Sequence, residues 1–121
     1  MKWKFDENTP IYLQIVEQIK TQIATGQLKA GDKLPAVREL AVEAGVNPNT
    51  MQKALSQLER EGLLYSVRTS GRFVAGLEEQ SEKLQNELAS QYMESFLDSM
   101  NSLGYTAQEA VSVLQAHVNK K

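Results

Sequence analysis

Between Leu34 and Val74, glycines and one Asn-Pro pair cut the chain at intervals that few folds can use. Val37, Leu40, Ala41 and Ala44 recur at helical spacing after Pro35 and are expected on the buried side of a short helix that Gly45 ends. Asn47-Pro48 then restarts a helix, with asparagine as the cap and proline at the first helical position. This helix runs to about Glu61 and stops at Gly62. Leu63 to Val67 and Arg72 to Ala75 read as two short strands joined by Arg68-Thr69-Ser70-Gly71, with Gly71 expected at positive φ. Short helix, tight turn, longer helix and hairpin are, in that order, the parts of a winged helix-turn-helix, which lays one helix in a DNA major groove and a loop beside it.

Upstream, Thr9-Pro10 reads as an N-cap followed by proline in the first turn. Tyr12, Ile15, Val16, Ile19 and Ile23 make one apolar side of a helix over roughly 11–25, and the glycine-bracketed stretch from Gly26 to Lys33 is a loop. Trp3 and Phe5 are expected to anchor the N-terminal arm. From Leu77 the composition turns Gln/Glu/Ser-rich. Leu84, Leu88, Tyr92, Phe96 and Met100 form a stripe, widened by Met93, Leu97 and Leu103, along a helix that Gly104 breaks. Thr106-Ala107-Gln108-Glu109 is a capping box opening a last helix with Ala110, Val111, Leu114 and Val118 inward. The expected fold is mainly α with a small β-hairpin. A winged helix-turn-helix DNA-binding domain spans 1–76 and a two-helix dimerisation or effector extension spans 77–121.

At about 100° per residue, Met51, Ala54, Leu55 and Leu58 fall on one side of the third helix. Asn49, Gln52, Lys53, Ser56 and Arg60 fall on the other. Asn and Gln amides suit adenine, and Lys reaches guanine acceptors or phosphate. Asn49, Gln52 and Lys53 occupy the first turn and a half, the part of such a helix that meets base edges. Arg68 and Arg72 flank a tip suited to a minor groove or a phosphate line. Their competing reading is as surface arginines that discourage edge pairing. Arg38, one residue past Val37, is expected at the groove edge, with an ion pair to Glu39 or Glu17 as its rival role.

The net charge of −2 over 121 residues looks unsuited to a polyanion until it is divided. Residues 1–76 carry ten Lys/Arg against eight Asp/Glu, a net +2, and residues 77–121 carry three against seven, a net −4. A local positive surface governs binding more than the total does. The chain has no cysteine, which removes disulfides, thiolate zinc sites and thiol nucleophiles. His117 is the one histidine and lacks clustered ligands, so no metal is expected. Glu59/Glu61 and Glu78/Glu79 are expected on solvated helix faces, and Ser66, Thr69 and Ser70 have no activating base nearby. No catalytic residue and no cofactor is expected, and the chain reads as a non-enzyme. No run approaches the roughly 18 apolar residues of a membrane span, so a cytoplasmic protein is expected.

These residues bring a family into view. The chain resembles the GntR-family winged-helix transcriptional regulators, and within them the short YtrA-type branch. The resemblance is carried by Pro10-Ile11-Tyr12 with Gln14-Ile15, and by the run from Leu28 to Pro35. Arg38-Glu39-Leu40-Ala41, Val46 to Thr50, Leu58 to Gly62 and Gly71-Arg72-Phe73-Val74 complete it. It covers about 5–76; the tail matches only in size and helical character. The resemblance implies DNA contacts at Arg38, at Asn47, Asn49, Thr50 and Gln52, and at Arg68, Thr69, Ser70, Gly71 and Arg72. It departs from the family at Pro48 and Gln52, where many members carry arginine, and at Thr69, where many carry glycine. The first departure moves base preference away from guanine and lowers affinity per protomer.

The resemblance also implies a homodimeric repressor of a transporter-type operon. The residues themselves favour pairing, because so few cations bind weakly as one copy and a second helix of about a dozen residues cannot cover the long stripe, with packing of the tail back onto the winged domain as the alternative cover. The expected partners are double-stranded DNA with a palindromic operator and a second copy held through 77–121. An unknown small-molecule effector between subunits stays an open alternative. The competing class is a winged-helix protein-interaction module without DNA binding.

Overall fold

The computed structural model describes residues 2–76 and 78–120, with the backbone alone at 78–80. Leu77, where the extension was expected to begin, lies outside the described residues, as do the side chains of Glu78 and Glu79. The order is α1 (Ile11–Ala24), α2 (Val37–Ala44), α3 (Pro48–Arg60), β1 (Leu64–Val67), β2 (Gly71–Val74), α4 (Glu78–Ser102) and α5 (Ala107–Asn119). The chain divides into two compact units, Met1–Gln85 and Asn86–Lys121, and the division falls inside α4.

In the first unit the apolar periodicity becomes a core. Ile15, Val16, Ile19 and Ile23 of α1, Leu40 and Ala41 of α2, and Met51, Ala54, Leu55 and Leu58 of α3 are all buried. They are joined by Leu34, Leu64 and Val74. α3 packs on both α1 and α2, so its apolar flank is the shared seam. Val37, expected in the core, is only half-buried, because it stands in the first turn of α2 at the rim of an open cleft.

α1 starts differently from the sequence expectation. Pro10, not Thr9, is the N-cap, and no side chain caps the helix. The Thr9 carbonyl instead accepts from Gln14 Nε2 at 2.8 Å. Gln14 also pairs with both backbone groups of Asp6, at 3.0 Å each, and Gln18 does the same for Lys4 at 3.1 and 2.7 Å. Two glutamines one helical turn apart thus serve an extended arm as a neighbouring strand would. Trp3 and Phe5 of that arm stack with ring centroids 6.1 Å apart and are half-buried.

The ends of α2, α3 and α4 share one closure. In each, the residue after a glycine returns its N–H to the carbonyl five positions back: Val46 to Ala41, Leu63 to Leu58 and Tyr105 to Met100, at 2.9–3.1 Å. The glycine donates to the next carbonyl along, completing a Schellman motif. Gly45 has φ 70° and ψ 34°, the left-handed conformation that sets the angle between α2 and α3.

The hairpin pairs Leu64 with Val74 through Val67 with Gly71. The expected strand limits move by one residue, although Ala75 N–H still reaches Leu63 O at 2.9 Å. The stretch read as a plain loop also contributes. Gly31 N–H donates to Val74 O, Val74 N–H to Asp32 O and Leu34 N–H to Arg72 O at 2.8–2.9 Å, so residues 31–34 line the outer edge of β2. This ties the wing to the entrance of α2.

In the second unit the capping box forms as expected. Glu109 N–H donates to Thr106 Oγ1 at 3.1 Å and Thr106 N–H to Glu109 Oε1 at 3.0 Å. The Thr106 N–H first, and then the Thr106 side chain, hold the Glu109 carboxyl below its ordinary value. Leu88 and Ala110 are buried. Val111, Leu114 and Val118, expected inward, are 56%, 43% and 58% exposed, because no described residue of the second unit covers that side of α5.

Replacing Gly45 by Ala is expected to destabilise the protein by about 1–2 kcal/mol through backbone strain. An added Cβ there meets nothing within 4 Å, so conformation alone acts. Thermal unfolding of Gly45→Ala beside Gly45→Asn, which is expected to retain more stability, checks this.

Candidate nucleic-acid interface

The outward side of α3 is set by how the helix begins. Asn49 N–H donates to Asn47 Oδ1 at 2.7 Å, which makes Asn47 the cap, and Pro48 fills the position whose N–H has no helical partner. Asn47, expected as a DNA contact, therefore has its carboxamide oxygen committed to the helix. With Met51, Ala54, Leu55 and Leu58 turned into the core, Asn49, Gln52 and Lys53 are exposed and Thr50 is half-buried.

Two side chains on this face, Gln52 and Lys53, have partners within the fold. Gln52 Nε2 donates to Ser56 Oγ at 3.0 Å. Lys53 Nζ stands 3.9 Å from the centroid of the Tyr12 ring on α1. A cation over an aromatic face is attracted by the ring quadrupole. Tyr12, read in the sequence as part of the α1 stripe and of the family resemblance, thus holds a residue of the exposed side of α3.

The wing places Arg68, Thr69, Ser70 and Gly71 at an exposed tip, closed by Ser70 N–H on Val67 O at 3.0 Å. Gly71 has φ 107°, as its place in the turn implied, and a Cβ there would lie 3.3 Å from Lys33 Cε. Arg38 is exposed in the first turn of α2. Between that turn and the wing lies an open cleft of about 580 Å³ whose lining includes Lys33, Ala36, Glu39, Ser70, Gly71 and Arg72. Lys33 was not singled out in the sequence, since only the pairing of 31–34 with β2 brings it there.

Arg72 differs from the other wing residues. It is half-buried, and its Nε donates to Glu59 Oε1 at 2.8 Å. The Ser66 hydroxyl donates to the same carboxylate oxygen. The Ser66 bond first, and then Arg72, holds the Glu59 carboxyl below its ordinary value of 4.5 against the opposing effect of burial. Neither acidic residue of the Glu59/Glu61 pair is merely solvated, as was expected, for Glu61 accepts from Lys20 Nζ of α1 at 2.8 Å. His117 is exposed in the last turn of α5. Among the described residues no group of three or more His, Cys, Asp or Glu could hold a metal ion, and no helix is long and apolar enough to cross a membrane.

Two outcomes follow. Asn47→Ala is expected to lower stability by about 1 kcal/mol, with Asn47→Asp close to wild type, by thermal unfolding. Because the folded Glu59 carboxyl lies below its ordinary value, its stabilisation is fully present above that value and is lost as pH falls through the lowered one. Glu59→Gln is therefore expected to flatten the acid side of the stability curve, measured by denaturant titration from neutral pH downward.

Comparison with known proteins agrees with this geometry. The family described as bacterial regulatory proteins, gntR family, matches residues 11–74. The HTH-type transcriptional regulator YhcF of Bacillus subtilis is 41% identical over 106 residues, covering 88% of each chain. The HTH-type transcriptional repressor YtrA of the same organism is 48% identical over 68 residues, covering 56% of this chain and 52% of that protein. A GntR family transcriptional regulator from Listeria monocytogenes superposes with a TM-score of 0.81 at 40% identity, over 93% of this chain and 98% of that one. AraR(DBD) in complex with operator ORX1 superposes with a TM-score of 0.57 at 35% identity, over 62% of this chain and 96% of that one. From Tyr12 through the wing, the arrangement is the winged helix of these regulators, and the chain belongs to the gntR family of bacterial regulatory proteins.

Proposed function

We propose that this chain is a sequence-specific DNA-binding transcription regulator of the YtrA type, acting in the cytoplasm as a homodimeric repressor of a transporter-type operon and not as an enzyme. The observation that carries the reading is the exposed row Asn49, Gln52 and Lys53 on the first half of α3, beside an exposed wing tip with Arg68. A relative with the same winged helix is solved on operator DNA, and another is named a repressor. Asn49, Gln52 and Lys53 meet base edges, while Arg38, Thr50 and the tip residues Arg68 to Gly71 meet the backbone and the flanking groove. With amides leading, adenine is favoured over guanine. Bound across a promoter, such a protein represses by occlusion.

Residues 1–76 carry the DNA reading and 77–121 the pairing. Val111, Leu114 and Val118 form one exposed apolar row on α5, the kind of surface a second copy covers. Two copies double the phosphate contacts, each of which adds about −0.9 to the salt slope of binding.

Selection of bound duplexes from random DNA is expected to return an inverted repeat. Failure to retain any duplex at low salt would overturn the reading in favour of a protein-interaction module. Gln52→Ala is expected to relax base preference at one position per half-site by about 1–3 kcal/mol. Arg68→Ala is expected to weaken all duplexes alike and flatten the salt slope. Leu114→Asp is expected to convert the dimer to monomer in sedimentation, and an unchanged sedimentation coefficient would count against α5.

A further inference from the structure

One carboxylate on α3 holds both strands of the wing. Ser66 of β1 and Arg72 of β2 stand opposite each other in register, and both donate to Oε1 of Glu59. Their rung is adjacent to Val67 and Gly71, the last pair before the tip. On its other edge, β2 receives Leu34 N–H at Arg72 O, so Arg72 is gripped through its backbone from before α2 and through its side chain from α3. The Arg72 and Glu59 side chains are only 17% and 29% exposed. A guanidinium so paired projects little positive field toward a phosphate, because the adjacent carboxylate cancels it at distances beyond the pair.

We propose that Glu59 is a positioning residue for DNA binding: through Ser66 and Arg72 it fixes the wing on the recognition helix, with Arg72 working inside this clamp and Arg68 left as the cation that meets phosphate. The proposal rests on the DNA-binding reading for its consequence but not for its geometry. It departs from the sequence expectation, which set Arg72 beside Arg68 as a contact.

The sign of one substitution separates the clamp from simple charge. Glu59 is an anion near a polyanion, so a carboxylate that only repelled DNA would give tighter binding as Glu59→Gln. A clamp gives weaker binding. Wild type, Glu59→Gln, Arg72→Gln, the double variant and Arg68→Ala are titrated over salt against a duplex recovered by selection from random DNA. Each clamp variant is expected to bind about tenfold more weakly, and the double variant no more weakly than either single one. The salt slope is expected to fall toward that of Arg68→Ala, with hydroxyl-radical protection lost where the wing lies and kept where α3 lies. Ser66→Ala, which removes one donor, is expected to move the same way by less. Unchanged or tighter binding by Glu59→Gln overturns the clamp, and so do additive effects of the two single variants.

Amide exchange in the free protein keeps the test independent of DNA. Exchange at Ser70 and its neighbours in the hairpin is expected to quicken in Glu59→Gln while the amides of α1 stay as in wild type. Unchanged hairpin exchange overturns the clamp even if the wild type retains no duplex, an outcome that by itself sinks only the DNA-binding reading.

Discussion

Everything in the first unit depends on the apolar flank of α3. Met51, Ala54, Leu55 and Leu58 are sealed against α1 and α2, and that burial fixes the rotation of the helix about its own axis. Because a close-packed seam tolerates little adjustment, the opposite face has no freedom to choose what it shows. Asn49, Gln52 and Lys53 are outward because four apolar neighbours are inward. The Gly45 turn then sets the tilt of α3 on α2, and the Schellman closures stop α2 and α3 where the packing ends.

Electrostatics act within this frame and are more local than the composition suggests. Of the ten cations in residues 1–76, Lys20 and Arg72 are spent within the fold on Glu61 and Glu59. Both pairs tie α3 to another element, Lys20 to α1 and Arg72 to β2. Partly exposed pairs of this kind add modest stability. Their consequence is geometric, since they hold α3, the wing and α1 in one arrangement. Lys53 belongs to the same group of tethered cations, but its partner is a ring, so its charge is not cancelled.

The second unit follows a different logic. Its capping box and its glycine turn are locally complete, yet the row Val111, Leu114 and Val118 lies open. Local signals built the helices there without providing a cover.

The sequence by itself determined the elements, their order and the polar side of α3. These rest on short-range signals: the 3.6-residue apolar period, Asn47-Pro48 at a helix start, glycine after a helix end, and Thr106 with Glu109 as a box. Residues 31–34 beside β2, Lys33 in the cleft and Tyr12 beneath Lys53 were not legible, because each depends on partners about forty residues away. Thr9 misled for a local reason, as the Gln14 amide took its carbonyl and Pro10 became the cap. Glu59 is the sharpest case. On a helical wheel it is one more solvated carboxylate, and only the docking of a hairpin against α3 turns it into the residue that holds both strands. Periodicity decides which side of an element meets the core; which polar group meets which is decided only when the elements come together.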